Sequence, residues 1–179
     1  MKLKIKLKLF DKDCMPEIHG DWIDLKSAIG FSMCDKRIKK VSLGVAMQLP
    51  DGYEAVIVPR SGTFKKYSML LVNSEGVMDN TYCGNEDIWK AQFIYIQEKK
   101  DWDDKKYDDT EYNEKWKKNE YGEFVDIPIY ARLVQFRVQL SQHATMWQKI
   151  KNLFYSGVEF EIVDNLTKPN RGGFGHTGV

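Results

Sequence analysis

The sequence predicts a single-domain, all-β protein, a sandwich or barrel built from many short strands. The first observation is the strict alternation of residues 3–9, which puts four apolar side chains on one face of a strand and lysines on the other. The second is a series of short apolar runs along the rest of the chain. The third is the Gly, Pro and Asn turn signals between those runs. Together these observations are typical of all-β sandwiches and barrels.

The individual strands follow from the apolar runs, which are rich in β-branched and aromatic residues. The predicted strands are residues 3–9, Val41–Met47, Glu54–Val58, Met69–Val72, Ile88–Ile96, Ile127–Leu140 and Val158–Val163. The long run 127–140 is expected to be bent or broken. A helix is predicted only at Thr145–Phe154, with a single helical turn near Gly62–Tyr67.

Composition limits the class of protein. The chain has 179 residues, enough for one domain with a sizeable core, and its net charge of +1 gives no field that points to nucleic acid or an anionic membrane. The cysteines Cys14, Cys34 and Cys83 are odd in number and form no CxxC pair, which argues against disulfides and zinc. The alternating N-terminus is not a signal peptide, and no segment has the length of a transmembrane helix. We therefore expect a cytoplasmic protein without a membrane or nucleic-acid partner.

Two segments depart from the strand pattern. Residues 97–124 mix charges of both signs with recurring aromatics, which predicts a solvated insertion. A second interpretation is a protein-binding surface, because Trp102 and Trp116, with the tyrosines between them, could supply anchors. The arm at about 165–179 is rich in glycine and, taken alone, is expected to be a flexible terminus.

Two turns carry candidate ligand-binding groups. Pro59–Gly62 follows an apolar run, so a strand delivers an arginine, a hydroxyl and a glycine into a turn. Arginine offers a planar fork of donors to phosphate, and glycine lets backbone N–H groups approach an anion. Asn73–Gly84 predicts a β-hairpin whose rim could bind the edge of a pyrimidine, and a local bend is needed before Asp79 and Tyr82 face one pocket. Each segment alone also fits an ordinary surface turn.

Two further segments have open interpretations. In Ala131–Phe136, Gln135 is a buried hydrogen-bonding group, a ligand contact or an edge-strand glutamine. Gly172–Gly175 offers backbone amides and the ring of Phe174, which could order over a charged, planar ligand such as a nucleotide. The same segment alone fits a frayed terminus.

Together these segments resemble the motifs of the trimeric dUTPase family, in the family's order. The matching segments are Gly20–Leu25 (G-D-W-I-D-L), Pro59–Gly62 (P-R-S-G), Gly76–Gly84 (G-V-M-D-N-T-Y-C-G), Ala131–Phe136 (A-R-L-V-Q-F) and Arg171–Val179 (R-G-G-F-G-H-T-G-V). The form G-D-W-I-D-L resembles the subgroup of Gram-positive bacteria and their phages. The resemblance covers nearly the whole chain except the insertion, and it implies a distorted jelly-roll or barrel-like sandwich with one short helix.

The resemblance implies hydrolysis of dUTP to dUMP and pyrophosphate. Asp79 would be the general base for the water that attacks the α-phosphorus. Tyr82 would stack on the deoxyribose and exclude a 2′-hydroxyl. The uracil edge would be bound by Asn73, Gly76, Val77 and Met78. A tight hairpin there would also exclude the 5-methyl group of thymine and mismatch the amino group of cytosine.

The resemblance also implies how the triphosphate is held. Its phosphates would be bound by Arg60, Ser61, Gly62, Gln135, Arg171, Gly175, His176 and Thr177, while Phe174 would cover the uracil. Mg²⁺ would arrive with the nucleotide and keep several waters, so Asp24 would act on the metal through water, as an outer-shell ligand. One site would draw motifs from three chains, which makes the expected homotrimer a functional requirement.

The sequence departs from the family pattern at several positions. Thr81 stands where the family has a second acid, and Trp22 and Ile23 alter the first motif. His176 replaces a common serine, and it either donates to phosphate or is tolerated. Arg171 lies directly before the glycine pair, whereas the usual arginine position is occupied by Pro169.

Two other functions are weighed against this one. A dCTP deaminase shares the fold but needs a glutamate near the base-binding loop, and neither Glu75 nor Glu86 fits that family's pattern. A regulator of the phage type would bind a protein partner through residues 97–124. The retained Asp79 and the glycine-rich tail favour catalysis, with or without such a partner.

Overall fold

A computed structural model describes residues 1–34, 36–96, 117–119 and 122–173 of the chain. The strands in these ranges are β1 Leu3–Leu9, β2 Glu17–His19, β3 Trp22–Lys26, β4 Phe31–Cys34, β5 Ile38–Ser42, β6 Val45–Gln48, β7 Tyr53–Pro59, β8 Met69–Leu71, β9 Gly76–Met78, β10 Lys90–Tyr95, β11 Lys117–Asn119, β12 Gly122–Ile127, β13 Arg132–Leu140 and β14 Val158–Ile162. The helices are α1 Ser61–Tyr67 and α2 Met146–Asn152, and a short 3-10 turn covers Lys12–Cys14.

The strands form four open sheets. The largest has the order β2-β3-β13-β7-β9, and the three-stranded sheets have the orders β14-β1-β6, β5-β10-β8 and β11-β12-β4. Only β1 and β14 pair in parallel among the named strands. The predicted all-β architecture is confirmed, and the described strands do not close into a barrel.

The core lies between the sheets and is apolar. On β1 the side chains of Leu3, Ile5 and Leu7 are buried, as the alternation predicts. Trp89 and Phe136 are fully buried, with ring centroids 5.2 Å apart and an interplanar angle of 77°. This edge-to-face contact joins the sheet of β10 to the largest sheet, because β13 carries Phe136.

Two predicted strands are each divided in the structure. The run 41–47 was predicted as one strand, but it holds the end of β5 and most of β6, with Gly44 between them at φ +69°. A Cβ at Gly44 would lie 2.6 Å from the Cys14 Sγ, so the turn requires glycine. The break expected within 127–140 is confirmed, and it falls at Tyr130, whose φ is 63°.

The helix content differs from the prediction of one short helix. Helix α2 is confirmed, with a capping box between Thr145 and Gln148. Helix α1 is a second helix where only one turn was predicted. It is fixed from outside its own sequence, because the Thr63 hydroxyl donates to the Leu133 carbonyl of β13 at 2.6 Å. The unpredicted strands β2, β3, β4 and β9 are too short to show a clear alternation.

Most of the charged insertion lies outside the described residues, so its predicted role as a solvated loop or partner surface stays a prediction. Residues 122–124 nevertheless belong to β12, which pairs with β4, and the fold therefore resumes two residues before the predicted end of the insertion. Cys14, Cys34 and Cys83 are free thiols. Neither described helix has the length and apolar character needed to cross a membrane.

Candidate active site

A pocket of about 240 Å³ lies beside the hairpin strand β9. Pairing of β9 with β7 places Gly76 opposite Ile57 and so fixes the wall of the pocket. The lining residues are Ile57, Leu71, Asn73, Gly76, Val77, Met78, Tyr82, Lys90, Ala91, Gln92, Arg171, Gly172 and Gly173. The pocket therefore combines the predicted base-binding hairpin with the start of the C-terminal arm.

Asp79 begins the bend that follows β9. One carboxylate oxygen, Oδ1, accepts the Thr81 N–H at 2.8 Å, the Thr81 hydroxyl at 2.5 Å and the Tyr82 N–H at 3.3 Å. The Tyr82 N–H also donates to the Asp79 carbonyl at 3.1 Å. These contacts form the local bend that the sequence required before Asp79 and Tyr82 could serve one site. Thr81, which replaces the family's second acid, thus holds the first acid by hydrogen bonds.

The other oxygen of Asp79 contacts the arm. Arg171 Nη1 donates to Asp79 Oδ2 at 2.6 Å and to the Thr81 hydroxyl at 2.7 Å. Burial raises the pKa of Asp79, but hydrogen bonds from Thr81 and the charge and hydrogen bond of Arg171 outweigh it and hold the pKa below the ordinary 3.8. The carboxylate is therefore ionised at neutral pH, as a general base must be.

Arg171→Ala is expected to raise the pKa of Asp79, since both the positive charge and a hydrogen bond to the carboxylate are lost. The contact stabilises the docked arm above the ordinary carboxyl pKa, and this stabilisation is lost as pH falls through the lowered pKa. An NMR titration of the Asp79 carboxyl carbon measures the shift. Lys168→Ala is the control, because it removes an arm cation that pairs with Asp51 instead. An unchanged titration in Arg171→Ala contradicts the assignment.

Tyr82 is a buried wall of the pocket. It is 9% exposed, and its hydroxyl donates to the Ile88 carbonyl at 2.8 Å. Gly173 of the arm approaches the ring so closely that an added Cβ would lie 3.1 Å from a ring carbon. The hydroxyl bond fixes the ring plane, so Tyr82 presents a rigid surface to whatever enters the pocket.

A second cluster lies on the largest sheet. The pairing of β13 with β3 and β7 sets Gln135 opposite Asp24 on one side and Val58 on the other. Arg60 follows β7, and its Nε lies 2.9 Å from Asp24 Oδ1. Asp24 is 2% exposed, so this ion pair joins the predicted phosphate arginine to a buried acid. Ser61 and Gly62 begin α1 directly after Arg60.

The second oxygen of Asp24 bears on the metal prediction. Oδ2 is buried and accepts no hydrogen bond from the described residues. Arg132 Nη1 lies 3.6 Å and His19 Nε2 3.9 Å from it, and both side chains are well exposed. No group of three or more potential metal ligands occurs among the described residues. A single carboxylate with an unused acceptor fits water-mediated contact with Mg²⁺, provided that the exposed Arg132 or His19 side chain moves aside.

The arm docks onto the loop that follows the hairpin. Asn85 exchanges two hydrogen bonds with the backbone of Leu166, and the Glu86 N–H donates to the Asn170 side chain at 2.8 Å. Lys168 Nζ donates to Asp51 at 2.7 Å. The arm was expected to be flexible at about 165–179, but its described part, up to Gly173, is fixed by specific contacts. The remaining tail residues of the prediction, Phe174, Gly175, His176 and Thr177, lie outside the described residues.

The structure thus sorts the predicted site residues into two clusters. The hairpin pocket holds Asn73, Gly76, Val77, Met78, Tyr82 and Arg171, with Asp79 adjoining it through Arg171. The sheet cluster holds Asp24, Arg60, Ser61, Gly62 and Gln135, none of which lines that pocket. One chain in the described ranges therefore does not bring the phosphate residues of the sheet into the base pocket.

Sequence reasoning missed several residues of the site. Lys90 and Gln92 line the pocket from β10. Their alternation with buried Ala91 and Phe93 inside the predicted strand 88–96 was a usable signal for the face that they occupy. Asp87, which binds the arm backbone, had no such signal, because an acid after a turn is ordinarily solvated.

Comparison with known proteins identifies the family. A family model described as dUTPase matches residues 23–95. The SPbeta prophage-derived deoxyuridine 5′-triphosphate nucleotidohydrolase of Bacillus subtilis (strain 168) is 33% identical over 181 residues, covering 99% of this chain and 99% of that protein.

Solved structures agree in fold. The dUTPase from Streptococcus mutans has a TM-score of 0.59 at 21% identity, covering 78% of this chain and 98% of that one. The dUTPase from phage phi11 of S. aureus has a TM-score of 0.59 at 17% identity, covering 79% and 93%. These likenesses define the fold as that of dUTPases. The full-length match to the prophage protein goes further, and the chain belongs to the dUTPase family, with relatives among Gram-positive bacteria and their phages.

Proposed function

We propose that this chain hydrolyses dUTP to dUMP and pyrophosphate, in the cytoplasm of a bacterial or phage-infected cell. The observation that carries the proposal is the hairpin pocket, which is lined by Asn73, Gly76–Met78 and Tyr82 and adjoins the ionised carboxylate of Asp79. Its relative in Bacillus subtilis is a deoxyuridine 5′-triphosphate nucleotidohydrolase along its whole length. Such an activity limits the incorporation of uracil into DNA and supplies dUMP.

Asp79 is the proposed general base. It takes a proton from a water molecule as the water oxygen bonds to the α-phosphorus. The bond from the α-phosphorus to the oxygen that bridges it to the β-phosphorus breaks, and pyrophosphate leaves with the electron pair of that bond. In the structure both oxygens of Asp79 are engaged, one by Thr81 and the other by Arg171. The phosphates of dUTP would compete for the Arg171 guanidinium and release Oδ2 for the water.

The hairpin is proposed to select the base and sugar. Backbone groups of Gly76, Val77 and Met78, with the Asn73 side chain, would bind the uracil edge in a space too small for a 5-methyl group. Tyr82 would pack on the deoxyribose, and its fixed ring would leave no room for a 2′-hydroxyl. A rigid wall discriminates by steric exclusion, because relieving the clash would break the buried hydroxyl bond to Ile88.

The sheet cluster is proposed to bind the triphosphate. Arg60 contacts Asp24 through Nε, so its two terminal nitrogens are the donors that would face phosphate oxygens. Ser61, Gly62 and Gln135 would add hydrogen bonds, and Gly175, His176 and Thr177 of the tail would close the site while Phe174 covers the uracil. Mg²⁺, held on the phosphates, would neutralise their charge, and Asp24 would orient it through water. The solved phi11 phage dUTPase coordinates a structural Mg(II) ion.

The two clusters are proposed to meet between subunits of a homotrimer. Each chain would supply its hairpin pocket to one site and its sheet cluster to another. Mixing Asp79→Asn chains with Arg60→Ala chains and allowing subunits to exchange tests this arrangement. Shared sites would give about a quarter of them both native residues in a 1:1 mixture, so activity should reappear. No recovery after verified exchange contradicts shared sites, and a sedimentation mass of one chain contradicts the trimer.

The activity itself is tested with a panel of nucleotides. We expect pyrophosphate release from dUTP with kcat/KM about 10²-fold above that for UTP, because the rigid Tyr82 ring excludes the 2′-hydroxyl. Release from dTTP and dCTP should be similarly low. Equal turnover of UTP would sink the role of Tyr82. Ammonia release from dCTP would replace the proposal with a deaminase.

A further inference from the structure

Asp87 is a buried acid that the proposed reaction does not use. It lies in the loop between β9 and β10 and is 1% exposed. Its carboxylate accepts the Gly84 N–H at 2.8 Å from the hairpin side. From the arm it accepts the Arg171 N–H at 2.9 Å and 3.1 Å and the Gly172 N–H at 2.8 Å. One side chain thus joins backbone groups that lie more than 80 residues apart in the sequence.

These bonds determine where the arm backbone lies. Hydrogen bonds to an ionised acceptor are roughly twice as strong as neutral ones, and a buried N–H group without a partner is costly. Both effects keep residues 171 and 172 against the loop. Gly172 turns there with φ +74°, a conformation suited to glycine. The direction in which the chain leaves this point is therefore set at Asp87.

Two contacts with the site depend on that direction. The Arg171 guanidinium reaches Asp79 and Thr81, and Gly173 packs against the Tyr82 ring. We propose that Asp87 is the positioning residue of the arm, which places Arg171 and Gly173 over the hairpin pocket. Asp87 touches no reacting atom and acts through the arm backbone. The inference rests on the proposed function only in taking this pocket as the dUTP site.

The other arm contacts do not replace this role. Asn85 and Glu86 hold the arm at Leu166 and Asn170, upstream of the turn. Gly84 lets the arm approach, since an added Cβ would lie 2.5 Å from the Cα of Asn170. Asp87 is the acceptor of the two N–H groups that come directly before Gly173. Loss of its charge is therefore expected to loosen the turn while the upstream part stays docked.

The test compares Asp87→Asn with the control Asp164→Asn, an exposed acid at the base of the arm. Trypsin should cut the Arg171–Gly172 bond at least tenfold faster in Asp87→Asn, because that bond is released from the loop. Lys168 precedes Pro169 and resists trypsin, so the arm signal is specific. We expect the KM for dUTP to rise about tenfold with kcat within threefold, because a loose arm weakens substrate binding more than proton transfer. Asp164→Asn should match the native chain in both assays.

A second measurement needs no variant. Hydrogen exchange resolved by NMR should show the Arg171 and Gly172 amides protected at least tenfold against their unfolded rates. Rapid exchange of both amides in the native chain overturns the inference even if Asp87→Asn does not fold. Native cleavage at Arg171 and a native KM in a folded Asp87→Asn chain overturn it too. If the proteolysis and exchange results hold but dUTP is not turned over by the native chain, the proposed function alone fails.

Discussion

Asp79→Asn is expected to lower the rate of pyrophosphate release from dUTP by roughly 10²–10⁴-fold, the contribution typical of a general base. The amide keeps the size of the side chain and can still accept the Thr81 hydrogen bonds through one oxygen, so the bend after β9 should persist. Binding of a non-hydrolysable dUTP analogue should stay measurable. Single-turnover kinetics separates the chemical step from nucleotide binding.

Two controls make that result specific. Asp164→Asn removes an exposed acid outside the pocket and should leave the rate unchanged. Thermal unfolding of Asp79→Asn shows whether the fold is retained. The Arg171 guanidinium loses its charged partner in this variant, so a modest change in analogue affinity is compatible with the role of Asp79. Full turnover in a folded Asp79→Asn chain removes Asp79 as the base.

Arg60→Ala is expected to lower the free energy of unfolding by about 2–3 kcal/mol, because it leaves the buried Asp24 carboxylate without its nearest cation. Arg132 and His19 lie farther from that carboxylate and compensate only in part. Urea unfolding measures the loss. The exposed Arg37 provides the control variant Arg37→Ala, which should be near neutral.

The stability and binding effects of Arg60 can be separated. Asp24→Asn added to Arg60→Ala removes the buried charge, so much of the lost stability should return. The affinity for triphosphate should not return, because the donors of the guanidinium are still missing. Recovery of both properties would contradict a phosphate contact, while unchanged stability in Arg60→Ala would contradict the importance of the ion pair.

Local patterns predicted most of the fold. The alternation of residues 3–9 was enough to place Leu3, Ile5 and Leu7 in the core. The Thr145 capping box marked the start of α2. Elements with weak local signals were missed or shortened, such as α1, which depends on the bond from Thr63 to a β13 carbonyl 70 residues away. Patterns of a few residues cannot encode a contact of that range.

The sequence by itself determined the chemistry available to this protein: an acid in a hairpin, an arginine after a strand and a glycine-rich tail, in the order of the dUTPase motifs. Only the tertiary structure decided which of these groups meet. It paired Arg60 with Asp24 across neighbouring strands and Arg171 with Asp79 across 92 residues of sequence. It also gave Asp87 its hold on the arm. Sequence motifs specify side-chain chemistry and local turns, whereas partners are set by sheet register and by burial, which force distant charged and backbone groups to satisfy one another.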